Sequence, residues 1–377
     1  MISSETVLRN DEKAIYSLRS LYRTYGYTHY KVNKFEEYDF YAGHKNFLIS
    51  DHVLTFTDTN GKLMALKPDV TLSIVKNVPT ASKEVRKVCY NESVYRPSNN
   101  GDGFREIMHT GVECIGCLDL YAEGEVLMLA MESLKRIGQT CVLDISHTGL
   151  LEGVLAESGC PEQAQEALIR MIESKNLPAI RKACAELELS ESACDVLCRL
   201  TSMYLPLGEA VVQIAELVQG AIAKRACEQL KQLESILAEY GLSQDLYFDF
   251  SLISDVHYYD GVIFKGFVSG ISESVLSGGR YDRLLHRLGK GSSVGAIGFA
   301  VYLDRLARYG TAEPKYDADV LLVYDESSDM KALIAEVRRL QADGMLVRTS
   351  LTADAGVRCR QVISFGKGGE DSFENHD

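Results

Sequence analysis

Proline is scarce in this chain, 7 of 377 residues, and glycine is unexceptional at 30, which excludes collagen-like and low-complexity architectures. With 46% hydrophobic and 25% charged residues the composition is that of a globular protein. At roughly 150 residues per domain its length predicts two or three domains. Long apolar runs are also missing. None reaches the roughly 18 residues of a membrane helix, and the most hydrophobic stretch, 210–223, is interrupted by Gln213, Glu216 and Gln219. No basic segment followed by an apolar run opens the sequence, so no secretory leader is expected and the cytoplasm is the expected compartment. An excess of basic residues is lacking too. The 40 Lys and Arg against 53 Asp and Glu leave a net charge of −13, which argues against non-specific binding of a phosphate backbone.

Metal and nucleotide signatures are equally thin. Cys114-Ile115-Gly116-Cys117 is a lone CxxC, and Cys194 and Cys198, one helical turn apart, do not complete a four-ligand set. There is no HExxH and no EF-hand loop. The ten cysteines read as reduced, mostly buried small hydrophobes. Gly289-Lys290-Gly291-Ser292-Ser293 lacks the upstream glycine of a Walker A loop and reads as a surface turn. No metal and no cofactor are expected.

What is present is an alternation of strand and helix signals. Asn10 with Asp11 and Glu12 reads as a helix N-cap with acids in the first turn, and Ile15, Leu18, Tyr22 and Tyr25 give that helix an apolar face ending at Gly26. Thr59-Asn60-Gly61-Lys62 between two apolar stretches is a hairpin signal. Strands are expected at 85–96 and 104–116, joined by a turn-rich SNNGDG, then a helix at 123–137 and a strand at 141–146. Near Thr148 the composition shifts, and to about Tyr240 almost every residue belongs to an amphipathic helical pattern. Strand character returns at 246–253 and 258–268, and a Gly-rich stretch leads into an expected helix at 298–309. A linker, TAEPK, precedes a strand–helix–strand unit and a polar tail. The expected organisation is a discontinuous α+β core over 1–147 and 245–311, a helical insertion over 148–244, and a short α/β unit over 316–377.

Four segments carry polar groups beside glycines or aromatics within strands: 63–71, the pair 93–97 with 104–113, 256–264, and 278–306. Acids such as Asp69 and Glu113 are costly to bury without a partner, so they mark either a polar ligand site or ion pairs with Arg96, Arg105 or Arg280. Taken in order, the four segments resemble the catalytic core of the histidyl-tRNA synthetase family, over about 16–309. GGRYD at 278–282 and GFAVYLDRL at 298–306 are its most specific motifs. The resemblance implies a class II aminoacyl-tRNA synthetase-like fold, an antiparallel sheet flanked by helices, and a dimer formed through the first motif.

The departures from the family pattern bear on activity. The activating reaction brings a carboxylate onto an anionic phosphate and needs preorganised cations. The resemblance puts Ser93 where the second motif has its arginine, just before Arg96-Pro97, and Ser254 where the Arg-Gly-Leu-Asp-Tyr-Tyr motif begins. Asn33 stands at the first motif's proline. Arg305 occupies the third motif's ATP-binding position but, without a cation at 93, reads as a helix residue paired with a nearby acid. One lost electrostatic donor costs about 3–4 kcal/mol of transition-state stabilisation, so no catalytic residue is expected here. By the same resemblance a histidine pocket is retained. Asp69 and Thr71 would hold the ligand's α-amino group, Glu113 and Tyr259 the imidazole, and His109 replaces a glutamine. This combination is similar to the family of regulatory subunits of ATP phosphoribosyltransferase, which implies a short-form catalytic subunit as partner, self-association, L-histidine as effector, and no tRNA. The alternatives are a stand-alone histidine-binding module and a histidyl-tRNA synthetase.

Overall fold

The computed structural model describes residues 8–44, 52–78, 85–98, 103–255, 258–291, 293–306, 316–353, 356–365 and 372–375, with 253–255 and 372–375 described through the backbone alone. Its strands, in chain order, are β1 (Thr28–His29), β2 (Phe35–Glu37), β3 (Thr55–Thr57), β4 (Leu63–Leu66), β5 (Arg86–Pro97), β6 (Phe104–Gly116), β7 (Cys141–His147), β8 (Tyr204–Pro206), β9 (Leu246–Asp249), β10 (Val262–Val268), β11 (Leu276–Arg280), β12 (Gly295–Tyr302), β13 (Ala318–Tyr324), β14 (Val347–Ser350), β15 (Cys359–Phe365) and β16 (Ser372–Asn375). Nine of them form one sheet in the order β1-β5-β6-β12-β11-β10-β7-β9-β8. Within it only β1–β5 and β7–β9 run parallel. This is a class II synthetase-like antiparallel sheet flanked by helices.

The chain divides into two compact units, Ala14–Leu306 and Ala307–Asp377 together with Met1–Lys13. The nine-stranded sheet lies in the first, with a smaller antiparallel sheet β2-β4-β3. The Asn60-Gly61 turn joins β3 to β4 as expected. Gly61 takes φ +80°, and the Asp58 carboxylate accepts from the amides of Asn60 and Lys62, both at 2.8 Å.

Strict side-chain alternation gives the main sheet two unlike faces. One carries Val112, Cys114, Ile297, Phe299, Leu276, Phe264, Leu143 and Ile145, all buried. They pack on the helix Leu120–Ile137, whose residues 122–131 are buried without a break. Each such Leu, Ile or Phe contributes about 1.5–3 kcal/mol by leaving water. Glycines allow the close approach on both sides of this helix. A Cβ on Gly266 would lie 2.7 Å from Leu134, and one on Gly124 would lie 2.7 Å from Ile236 of the helix Ala221–Glu239. Residues 148–239 supply the helices Thr148–Ser158, Glu162–Glu173, Leu177–Glu186, Glu191–Ser202, Leu207–Leu217 and Ala221–Glu239.

Two expectations are corrected here. The segment 298–309 is not a helix from its start: residues up to Tyr302 belong to the central strand β12, and only Leu303–Leu306 is helical among its described residues. Gly298 is small because Glu113 and the Val112 carbonyl of β6 press against it. The helical stretch 148–240 also contains a strand, β8, which pairs antiparallel with β9. The SNNGDG turn and the TAEPK linker lie largely or wholly outside the described residues.

In the other unit β13 lies between β14 and β15, parallel to both, and β16 pairs antiparallel with β15. Val320, Leu322 and Ile363 pack with Leu333 and Leu340 of the helix Met330–Ala342. Part of the polar tail is therefore a strand.

Candidate functional site

The second face of the main sheet is polar along its middle. Reading across the ladder, Val88 of β5 stands opposite Glu113 of β6, Glu113 opposite Gly298 of β12, and Gly298 opposite Gly279 of β11. Two glycines side by side lie in the row beside a buried acid. A Cβ on Gly298 would fall 1.8 Å from Oε2 of Glu113 and 2.5 Å from the Val112 carbonyl oxygen. One on Gly279 would fall 2.6 Å from Cδ1 of Tyr259. Both glycines are therefore demanded by side chains that occupy the space over them.

Glu113 is 1% exposed and has two hydroxyl donors. Thr71 Oγ1 donates to Oε1 at 2.6 Å, and Tyr281 Oη donates to Oε2 at 2.5 Å. Burial pushes its carboxyl up to about 8, against the pull of those two bonds and with a further push from Asp69. Neither donor brings a charge. A ligand offering a cation or an N–H to Glu113 would let the acid ionise.

Thr71 reaches Glu113 because Asp69 starts the helix Val70–Asn77 directly above it. The Asp69 carboxylate accepts from the Leu72 amide at 2.8 Å and lies 3.8 Å from Nη2 of Arg96. Burial raises its pKa, opposed first by Arg96. Asp69 thus caps a helix and pairs with an arginine while also acting on Glu113. Arg96 donates Nε to the Pro68 carbonyl at 3.0 Å, and the wholly buried Lys67 donates to Glu92 at 2.8 Å.

His109 lies four residues before Glu113 on the same face of β6. It is 3% exposed, packs edge-on against Tyr302 at 5.0 Å, and is held neutral, its pKa lowered to about 3 chiefly by burial and then by Arg96 and Arg305. Tyr90, wholly buried on β5, lies within electrostatic reach of Glu113, Asp69, Tyr302 and Tyr259, and so marks the centre of the group. Tyr258 packs 4.8 Å from Tyr259 and 5.9 Å from Tyr281. The structure therefore brings Asp69, Thr71, Glu113 and Tyr259 around one space, with His109 at its edge.

The positions expected to have lost their cations are placed less uniformly. Ser93 is half-buried on β5 opposite Met108, where the β5–β6 pair runs beyond the rest of the sheet. Ser254 belongs to the 3-10 helix Phe250–Asp255, its side chain outside the described residues. Asn33 is exposed. Arg305 donates to the carbonyl and the hydroxyl of Ser274, pairs with Glu273 at 3.2 Å, and lies 4.4 Å over the Tyr302 ring. Lys290 donates to the carbonyls of Lys76 and Val78 at the end of the helix Val70–Asn77. Among the described residues no group of three or more His, Cys, Asp or Glu could hold a metal ion, and no helix could cross a membrane.

Sequence reasoning missed Tyr281 and Tyr90. Tyr281 was visible inside GGRYD, where each residue has a separate task. The glycines clear space, Arg280 turns to the opposite face to pair with Glu123, Tyr281 holds Glu113, and Asp282 accepts from the Ala296 amide at 3.0 Å.

A family model for histidyl-tRNA synthetase matches residues 5–306. The chain belongs to this family. Among curated relatives, an ATP phosphoribosyltransferase regulatory subunit from Alkaliphilus metalliredigens is 29% identical over 87% of this chain and 85% of the relative. One of the same description from Clostridium kluyveri is 27% identical over 84% and 83%. A solved structure described as an ATP phosphoribosyltransferase regulatory subunit/histidyl-tRNA synthetase from Bacillus halodurans superposes with a TM-score of 0.78, at 25% identity, over 96% of this chain and 95% of the other. A histidyl-tRNA synthetase from Nostoc shares the fold at 16% identity, with a TM-score of 0.72 over 97% and 93%. Membership in this family therefore spans proteins with and without a synthetase description, and the site must separate them.

Proposed function

We propose that this chain is the non-catalytic regulatory subunit of ATP phosphoribosyltransferase, acting with a short-form catalytic subunit in the first step of histidine biosynthesis and sensing L-histidine. The names of the full-length relatives support this reading. The single observation that carries it is the contrast within the site. Glu113 is held by hydroxyls alone beside two glycines, a setting for an imidazole, whereas Arg96 and Arg305 are each engaged by protein acceptors. Activation of an amino acid needs a cation on the α-phosphate, and Ser93 and Ser254 supply none.

In this reading the imidazole of histidine donates an N–H to Glu113, which ionises, while the Tyr259 hydroxyl meets the second ring nitrogen. Thr71 and Asp69 serve the α-amino group, and His109 stays neutral at the edge. The bound amino acid inhibits only if it prefers one state of the complex with the catalytic subunit. Self-association as a dimer, and the absence of tRNA from its partners, belong to the same reading.

The test is phosphoribosyl-ATP formation from ATP and phosphoribosyl pyrophosphate by the catalytic subunit, with and without this chain. A large rise in rate, suppressed by histidine and rendered insensitive to it by Glu113→Gln, is expected. Histidine-dependent exchange of pyrophosphate into ATP by this chain alone would overturn the reading in favour of a synthetase.

A further inference from the structure

A chain of hydrogen bonds runs from the helical region to Arg280, and its polarity is fixed from end to end. It starts at His147, the last residue of β7. The Gly149 amide donates to Nδ1 of His147 at 3.0 Å, so that nitrogen carries no proton. Burial lowers the His147 pKa to about 4, so the ring is neutral and its one proton sits on Nε2. Nε2 lies 3.1 Å from Oε1 of Gln229, on the helix Ala221–Glu239, and donates to it. Gln229 therefore turns its amide nitrogen to Oε2 of Glu123, at 2.7 Å. Glu123 is 2% exposed, and its other oxygen accepts from Nη1 of Arg280. Both ring nitrogens of His147, both ends of the Gln229 amide and both oxygens of Glu123 are thus satisfied.

Arg280 is where this chain meets the site. Its guanidinium also donates to Asp282, through Nε at 3.0 Å and Nη2 at 2.8 Å, so two acids hold one arginine and Tyr281 lies between Arg280 and Asp282 in sequence. The Arg280 carbonyl accepts from the Asp260 amide at 2.9 Å, and Asp260 directly follows Tyr259. The Asp260 carboxylate accepts in turn from the amides of Asp282 and Arg283, at 2.7 and 2.5 Å. Tyr281, which donates to Glu113, and Tyr259, which lies over Gly279, therefore both adjoin backbone tied to Arg280. We propose that Gln229 is a positioning residue for the histidine site: by orienting Glu123 on Arg280 it sets the Tyr281 hydroxyl on Glu113, and the helical region so helps to determine how tightly the amino acid is held. The inference rests on the reading of that site given above. A fully satisfied buried network holds one arrangement, and removing one link leaves its neighbours unpaired.

The test is the affinity of the full chain for L-histidine, read by calorimetric titration. Gln229→Met, close in size but without the two bonds, is expected to weaken binding by about 10-fold. In a chain that already carries Tyr281→Phe the same substitution should change affinity by less than about 2-fold, because the hydroxyl that Gln229 positions is gone. A general loosening of the fold would lower affinity in both backgrounds alike. Exchanging the pair supplies the rescue. Glu123→Gln alone sets amide nitrogen against amide nitrogen, and Gln229→Glu alone sets carboxylate against carboxylate, so each should weaken binding. The double exchange restores every bond: the amide at 123 accepts from Arg280 and donates to the carboxylate at 229, which accepts from His147. It should return affinity to within about 2-fold of the unmodified chain. Histidine binding that is indifferent to Gln229→Met, or weakened equally with and without the Tyr281 hydroxyl, would overturn this proposal alone. No histidine binding by the unmodified chain would overturn the reading of the site and the proposal with it.

Discussion

Glu113 and Asp144 are both buried acids on the same face of the main sheet, and both accept a hydroxyl bond, yet their surroundings differ in one decisive way. In its row Asp144 stands between Lys265 and Tyr247, so each flank is filled by a side chain. Tyr204 donates to it at 3.1 Å and stacks on Tyr247 at 5.2 Å, and Lys175 lies over Tyr204 while pairing with Asp249 at 2.8 Å. The acid thereby ties β7 to the helical region. Glu113 stands between Val88 and Gly298, with Gly279 beyond. Burial raises both acids, Asp144 to about 6 and Glu113 to about 8. The two acids differ in what flanks them: side chains on both sides of Asp144, a valine and a glycine beside Glu113.

Gly298→Ala should break the comparison most severely, by forcing a Cβ into the space that the Glu113 carboxylate occupies. The Val112 carbonyl is backbone and cannot rotate away from a Cβ 2.5 Å off. Overpacking of this kind costs about 1–3 kcal/mol of stability, and histidine affinity should fall by about 100-fold or more, the scale of losing a charge-assisted bond outright. Calorimetric titration and urea unfolding read the two effects separately. Unchanged affinity would mean that the ligand does not depend on the placement of Glu113.

Glu113→Gln should separate binding from stability. Losing a hydrogen bond to a charged group weakens affinity by about 10- to 100-fold. Stability should move the other way. The folded pKa, about 8, lies above the ordinary glutamate value of 4.5, so between these values the folded chain keeps a proton that the unfolded chain releases. Stability therefore falls as pH rises through this window, and the neutral amide removes that fall. A gain of about 4 kcal/mol at pH 8 and almost none at pH 4.5 is expected from urea midpoints at the two pH values. A loss of stability at pH 8 would show that Glu113 is ionised and paired in the folded protein.

The sequence made the frame legible because the strongest signals are local. The Asn60-Gly61 turn, the helix stop at Gly26 and the amphipathic helices of 148–239 each follow from a few neighbouring residues. It misread β12 because Gly298, small where Glu113 lies over it, interrupts the strand pattern, and the short helix Leu303–Leu306 follows at once. Glu113 and Thr71 were found through the family motifs. Tyr281 was not, because its partner lies 168 residues away and only the β6–β12–β11 register shows that the two meet. The same separation hid Asp144, whose hydroxyl donor comes from a strand inside a stretch read as helix.

Asp144→Asn should produce the smallest effect and test the comparison from the filled side. The folded pKa of about 6 lies above the ordinary aspartate value of 3.8, so the aspartate costs stability as pH rises from 3.8 through 6. Asparagine keeps an oxygen to accept from Tyr204 and sheds that cost. A gain in unfolding free energy at pH 7, smaller than that of Glu113→Gln at pH 8 and vanishing near pH 4, is the expected change. Histidine affinity should stay within about 2-fold, as for sites that share no partner. Five strands, β6, β12, β11, β10 and β7, are needed to pass from one acid to the other. A change in affinity of tenfold or more would mean that the tie at β7 and the acid at β6 are two ends of one device, and that their flanks distinguish their chemistry but not their role.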